Sequence, residues 1–149
     1  MDTRDPVRAY LNSVLEYRVE ARRLRQKISA LEDRATSITS QVTGMPRGGS
    51  ADSGAVLAAL ADATAEYYQK LIEVERKELE VAAFIDSLPS DTSRMILKLH
   101  YVDRKHWPQV LRALTSAGYK VSERKMYRLH GRALEEARLK MKEINHDES

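Results

Sequence analysis

The chain has 149 residues, of which 42% are hydrophobic, 32% are charged and 6% are aromatic. Six glycines and four prolines leave few turns for a many-stranded sheet, so helices are expected, and the lack of cysteine excludes disulfide frameworks, thiolate metal sites and thiol nucleophiles. The net charge of +3 divides unevenly: residues 1–88 carry 12 basic and 14 acidic groups (net −2), whereas residues 89–142 carry 13 and 5 (net +8).

Apolar residues recur from Val7 at alternating intervals of three and four, the spacing of a helix that packs along one seam against another helix. Asp5 and Pro6 supply an N-cap and a first-turn proline, so the first helix is expected to begin there. Its seam consists of twelve apolar or aromatic residues: Val7, Tyr10, Val14, Tyr17, Ala21, Leu24, Ile28, Leu31, Ala35, Ile38, Val42 and Met45.

A loop is predicted over residues 44–53, because Pro46 and three glycines interrupt the pattern. A second helix follows, with Asp52 or Ser53 as its cap. Two helices of about 35 residues, each on the order of 50 Å long, are expected to fold back into an antiparallel coiled-coil hairpin over residues 1–88. The seam predicted for the second helix is Leu57, Leu60, Thr64, Tyr67, Leu71, Val74, Glu78, Val81, Ile85 and Leu88.

The second helix also carries apolar residues outside this seam, which are Val56, Ala59, Ala63, Leu79, Ala82 and Ala83. They present more apolar surface than one partner helix can cover. This surplus predicts a homo-oligomer or an arm that binds a partner. The alternative is a self-sufficient spacer without a partner.

A three-helix helix-turn-helix domain is predicted over residues 89–142, followed by an acidic tail at 143–149. Pro89 ends the long helix and Ser90 or Asp91 caps a helix over residues 92–102. The next helix begins near Trp107, and the third begins at Ser122 and continues through residue 141. The predicted core residues are Ile96, Leu97, Leu99, Tyr101, Val110, Leu111, Leu114, Met126, Leu129, Ala133, Leu134, Ala137 and Met141.

The third helix has a basic outward face in its first turns. A helix fits the major groove of DNA, and arginine donates two parallel hydrogen bonds to guanine, so this face is typical of a DNA-binding helix. A solvated charged face is the other interpretation. The candidate DNA-binding residues are Glu123, Arg124, Lys125, Tyr127, Arg128 and Arg132.

A particular order of motifs runs through this region: a leucine-proline start, an arginine, an apolar run to a tyrosine, a tryptophan-led helix, and a serine-capped helix ending in arginine-alanine-leucine. The residues that carry it are Leu88-Pro89, Arg94, 96–101, Trp107, Val110, Ser122, 126–128 and 132–134. This order resembles region four of the sigma-seventy family. The resemblance implies a helix-turn-helix that binds promoter-proximal DNA and contacts RNA polymerase.

Over nearly its full length the chain also resembles phage-encoded sigma-like regulators related to the RinA and ArpU late-transcription activators, through residues 44–50, 85–89 and 127–134. This likeness implies host RNA polymerase as a partner and the cytoplasm of a bacterial host cell as the location. Carried over position by position, it implies base reading by Glu123, Arg124 and Arg128, with Lys125, Tyr127 and Arg132 nearer the phosphates.

One departure from the sigma pattern concerns the connection from Trp107 to Ser122, which is longer here than in the family. Either the second helix is a turn longer, or the turn is an extended loop. The angle of the recognition helix depends on which is true. Nothing in the sequence resembles the sigma region that melts promoter DNA, so a role assisting transcription is predicted.

The predicted function is therefore a sequence-specific DNA-binding transcriptional regulator of phage or prophage genes. Two alternatives stay open, a small terminase-like DNA-packaging subunit and a coiled-coil assembly protein that does not bind DNA. No enzyme and no cofactor are predicted, because phosphate-loop, hydrolase and zinc-protease motifs do not occur. No membrane partner is predicted either, because no apolar run approaches the roughly 20 residues that span a bilayer and the polar start is unlike a signal peptide.

Overall fold

The computed structural model describes residues 5–42 and 49–148. All regular elements within these ranges are helical, and no strand occurs in them, so the predicted all-α fold is confirmed. The elements are α1 (Pro6–Leu11), α2 (Ser13–Val42), α3 (Gly49–Asp86), α4 (Asp91–Leu97), a π-helical segment (Lys98–Val102), α5 (Trp107–Ser116) and α6 (Glu123–Glu148).

The described chain forms two compact units. The terminal unit combines residues up to Leu15 with residues from Arg76 onward, and the central unit is Glu16–Glu75. This division differs from the predicted boundary between residues 88 and 89. The physical reason is that apolar side chains before and after Pro89 pack in one cluster of the terminal unit.

That cluster joins four parts of the sequence in the terminal unit. Its buried members are Val7, Leu11, Val14, Val81, Ile85, Leu88, Leu97, Tyr101, Ala133, Leu134 and Ala137. A second buried cluster joins α4, α5 and the start of α6 through Ile96, Val110, Leu114 and Met126. Helix α6 therefore contributes its first turns to one cluster and its middle turns to the other.

The predicted start of the first helix is confirmed. Asp5 is the N-cap of α1, the Val7 amide donates to Asp5 Oδ1 at 3.1 Å, and Pro6 occupies the first helical position. The helix is not continuous, however, because α1 ends at Leu11 and α2 begins at Ser13. Asn12, which separates them, donates its backbone N–H to the Arg8 carbonyl at 2.8 Å.

Asp5 also holds α1 to α6, since its Oδ2 accepts from Arg138 Nη2 at 2.6 Å. We expect Asp5→Ala to lower the free energy of unfolding by about 1 to 2 kcal/mol, because it removes an N-cap together with this ion pair. Asp5→Asn keeps a capping side chain and is expected to cost less than half as much. Urea unfolding of both variants measures the difference, and equal losses would contradict the capping role.

Lysine side chains of α3 contact α2 in the central unit and α1 in the terminal unit. In the central unit, Lys70 Nζ lies 2.8 Å from Glu20 Oε2 and 5.3 Å from the centre of the Tyr17 ring. In the terminal unit, Lys77 Nζ lies 5.6 Å from the centre of the Tyr10 ring. The hairpin as a whole stays a prediction, because residues 43–48 lie outside the described ranges.

The seam predicted for the first helix agrees with burial. Val7, Val14, Ala21 and Ile28 are buried, and the other predicted positions up to Ile38 are buried or half-buried. The predicted position Met45 lies outside the described residues.

The seam predicted for the second helix is wrong at Leu57 and Leu71, whereas Leu60, Thr64 and Tyr67 are half-buried as expected. Val56 and Ala63, which were placed outside it, are 4% and 1% exposed, whereas Leu57 and Leu71, which were placed in it, are 56% and 38% exposed. The predicted seam residues Val74, Val81, Ile85 and Leu88 are buried. The helix presents Val56 to the interior because its pairing with α2 fixes its rotation.

Two predicted boundaries also differ. Residues 49–53, predicted as part of the loop, belong to α3, which begins at Gly49, so neither Asp52 nor Ser53 is the cap. No proline follows Pro46 in this stretch. Residues 143–148, predicted as a separate tail, continue α6 to Glu148, since no helix breaker follows Gly131.

Candidate nucleic-acid interface

The start of α6 is set by its cap. Ser122, the predicted cap, accepts a hydrogen bond from the Lys125 amide at 3.2 Å, and the helix begins at Glu123. Its buried residues recur at helical spacing, so the helix has one inward face: Met126, His130, Ala133, Leu134 and Ala137. Residues about half a helical turn away from these buried positions therefore form the outward face of α6.

All six residues predicted to bind DNA are exposed. Arg124, Arg128 and Arg132 lie on the face opposite the buried residues, at intervals of four. No carboxylate among the described residues pairs with any of the three. Four-residue steps of about 6 Å each place the outer two about 12 Å apart along the axis.

The other three predicted residues lie on the two sides of this arginine face. Glu123 and Tyr127 border a small groove with Trp107, Pro108 and Leu111 of α5. The Tyr127 ring stands edge-on to Trp107, with 5.4 Å between ring centres, and 44% of Tyr127 remains exposed. On the other side, Lys125 Nζ contacts the Lys120 carbonyl oxygen at 3.4 Å.

The arginine face ends where acidic residues begin. Glu135, three residues after Arg132, is exposed and pairs with Arg138. The three arginines without a carboxylate partner thus all lie within the first ten residues of α6. Anion binding is favoured at this end, because the N-terminus of a helix carries partial positive charge.

A cluster of aromatic rings lies beneath the site and joins the π-helical segment, α5 and α6. The His100 ring stacks on Trp107 with 3.9 Å between centres and 16° between planes, and His130 approaches the same indole at 4.6 Å. His130 Nε2 lies 2.9 Å from the Tyr101 hydroxyl. Trp107 is half-buried within this cluster.

Both histidines of the cluster are neutral at physiological pH. Burial lowers the pKa of His130 to about 4, and burial also lowers the pKa of His100. His100 Nδ1 contacts the Lys105 carbonyl oxygen at 3.1 Å. Across the described residues, no three histidine or carboxylate side chains come close enough together to hold a metal ion.

His130 was not among the predicted core residues. The signal was present, because His130 lies four residues after Met126 and three before Ala133, on the buried stripe. A polar residue on that stripe needs a buried hydrogen-bond partner. The sequence did not identify Tyr101, 29 residues away, as that partner.

The long connection between α5 and α6 is resolved as an extended turn. Helix α5 ends at Ser116 and α6 begins at Glu123, so six residues replace the three or four of a typical helix-turn-helix. Gly118, with φ +98°, donates its amide to Thr115 O, and the Tyr119 amide donates to Leu114 O, both at 3.0 Å. This is a Schellman cap. Tyr119 and Val121 then pack on the second cluster.

Because of the Schellman cap, we expect alanine substitutions at two glycines to change the stability in opposite directions. Gly118→Ala is expected to lower the free energy of unfolding by about 1 to 2 kcal/mol, because an L side chain is strained at this positive φ although space is open around it. Gly131→Ala is the control, since Gly131 is inside α6 with open space around it. It is expected to stabilise by about 0.5 to 1 kcal/mol. Thermal unfolding distinguishes the two signs, and a Gly118→Ala protein as stable as wild type would refute the cap.

Residues 36–138 match the model of a protein family described as a protein of unknown function (DUF1492). The chain belongs to the DUF1492 family. In this DUF1492 chain the matched region contains α3, α4, α5 and the whole arginine face of α6, while α1 and the first part of α2 precede it. No curated protein and no solved structure matches the chain.

None of the helices formed by residues 5–42 and 49–148 combines the length and apolar character needed to cross a bilayer.

Proposed function

We propose that this chain is a sequence-specific DNA-binding transcriptional regulator of phage or prophage genes, acting with host RNA polymerase. The observation that carries the DNA-binding part is the exposed face of Arg124, Arg128 and Arg132 on the first turns of α6, without carboxylate partners among the described residues. The polymerase and phage parts rest on the resemblance to sigma region four and to the late-gene activators.

In the proposed complex, α6 enters the major groove by its N-terminal end. The span of about 12 Å between Arg124 and Arg132 is comparable with the width of that groove. Arg124 and Arg128 donate paired hydrogen bonds to guanine, and Glu123 accepts from cytosine. Lys125 and Arg132 pair with phosphates, which hold the helix in register.

Tyr127 and Trp107 are placed beside the proposed DNA-binding face. The Tyr127 ring is held edge-on by Trp107, and Trp107 is itself stacked on His100. A ring fixed in this way offers apolar contact to a thymine methyl or the sugar-phosphate backbone at little entropic cost. The aromatic cluster thereby links the geometry of α5 to that of the base-reading helix.

Affinity for duplex DNA across a salt series tests the proposal. With four cations on this surface, the slope of log K against log salt is expected to be about −2 to −4. A slope near zero, or no duplex binding at low salt, would refute it. Co-purification with bacterial RNA polymerase then tests the transcriptional part, whereas a ring-shaped oligomer bound to packaging sites would favour the terminase-like alternative.

A further inference from the structure

Helix α3 carries an exposed apolar stripe within the central unit. Its exposed members recur at intervals of three and four along one face, and half-buried Thr64 lies among them: Leu57, Ala58, Ala61, Ala65, Tyr68, Leu71 and Ile72. Tyr68 is 61% exposed, Leu57 56% and Ile72 50%, although each is a large apolar or aromatic side chain. No charged residue interrupts the stripe.

The side chains of the stripe differ in size between its two halves. Its N-terminal half is mainly alanine, whereas its C-terminal half presents Tyr68, Leu71 and Ile72. Thr64, near the middle, donates its hydroxyl to the Leu60 carbonyl at 2.7 Å, so its polar group is satisfied within the helix. A surface with small residues at one end and large ones at the other is complementary to itself when a copy is turned end to end.

We propose that this stripe is the interface with a second copy of the chain, with the two α3 helices antiparallel and crossing between Thr64 and Ala65. In that register Tyr68 packs on Ala61 of the second copy, and Leu57 packs opposite its Ile72. Tyr68 and Leu71 then each meet an alanine of the second copy, Ala61 and Ala58, while Leu57 and Ile72 meet each other at the two ends of the interface.

The area of the stripe suits such a dimer. At these exposed fractions its side chains present on the order of 500 Å² of apolar surface per chain. Two copies therefore bury about 1,000 Å² in total, the lower bound for a specific interface. The acidic side chains Asp62 and Glu66 lie beside the stripe, where they stay in solvent. This proposal does not depend on DNA binding.

Sedimentation of the full chain at tens of micromolar tests the dimer. The wild type is expected to sediment as a dimer, and Tyr68→Glu with Ile72→Glu as a monomer with unchanged helical circular dichroism. Val19→Glu is the control, because Val19 is 40% exposed in the same unit but lies on α2. It is expected to remain dimeric. A monomeric wild type, or a dimeric double variant, would overturn the proposal.

Engineered cysteines test the register, since the chain has no native cysteine. Ala65→Cys lies next to the crossing point and is expected to cross-link with its own copy. Leu57→Cys is not, because its two copies lie on the order of 20 Å apart along the axis, beyond the reach of a disulfide. A mixture of Leu57→Cys and Ile72→Cys chains is expected to give the cross-linked heterodimer. Self-cross-linking of all three variants would indicate a parallel pair and overturn the register.

Discussion

Replacing Arg124 and Arg128 together by alanine is expected to weaken binding to a duplex selected from a random library by about 30-fold to 10,000-fold. Each arginine that reads a base contributes about 1 to 3 kcal/mol, and every 1.4 kcal/mol is tenfold. Both side chains are exposed and unpaired among the described residues, so the fold is expected to be unaffected. Fluorescence anisotropy at fixed salt measures the loss.

The matched control for this pair is Arg22→Ala with Arg76→Ala. Arg22 and Arg76 are also exposed, and the double variant removes the same two charges from helices outside α6. Its affinity is expected to stay within about threefold of wild type, the effect of a net-charge change alone. If both double variants lose affinity equally, the binding is a general charge effect and the assignment to α6 is wrong.

The free energy of unfolding is expected to fall by up to about 3 kcal/mol as the pH drops from about 6.5 to 4, because burial holds the pKa of folded His130 at about 4. In this window the unfolded chain binds a proton at His130 that the folded chain does not bind. Stability is therefore full above the unfolded pKa and is lost as the pH falls. His100, whose pKa is lowered by burial too, adds in the same direction.

The double variant His130→Phe with Tyr101→Phe isolates this effect. It removes both partners of the hydrogen bond, which leaves no buried polar group unsatisfied. Urea titrations at intervals from pH 7 to 4.5 are expected to show a flatter decline than wild type. His106→Asn is the control, because His106 is exposed at the N-cap of α5 and asparagine is a good cap. Equal slopes for wild type and the double variant would contradict the role of His130.

The sequence predicted the first long helix better than the second, for a physical reason. Around Ala21 and Ile28 the flanking residues are charged, so only one face can be buried. On α3, Val56 and Leu57 are adjacent and both apolar, and alanines surround them. Hydrophobic spacing alone then permits two rotations of α3 about its own axis, one that buries Val56 and one that buries Leu57. The contacts of Lys70 with Glu20 and Tyr17 select one of them, and sequence spacing does not contain that information.

Those features of the candidate site that depend on a single helix could be predicted from the sequence. The spacing of Met126, Ala133 and Ala137 defined the buried face of α6, and the opposite arginines are exposed as expected. What could not be predicted depends on other elements: the groove between Tyr127 and Trp107, and the pairing of His130 with Tyr101. These contacts require the π-helical segment and the extended turn after Gly118, whose geometry has no spacing signature.

The first turns of α6 are proposed to bind duplex DNA, and amide chemical-shift mapping tests this most directly. A duplex added to isotope-labelled protein at low salt is expected to shift the amides of residues 122–132 and the indole N–H of Trp107. Amides of α2, including residues 22–27, are expected to stay unchanged. Shifts confined to α2 or α3, with residues 122–132 unchanged at saturating duplex, would contradict the assignment.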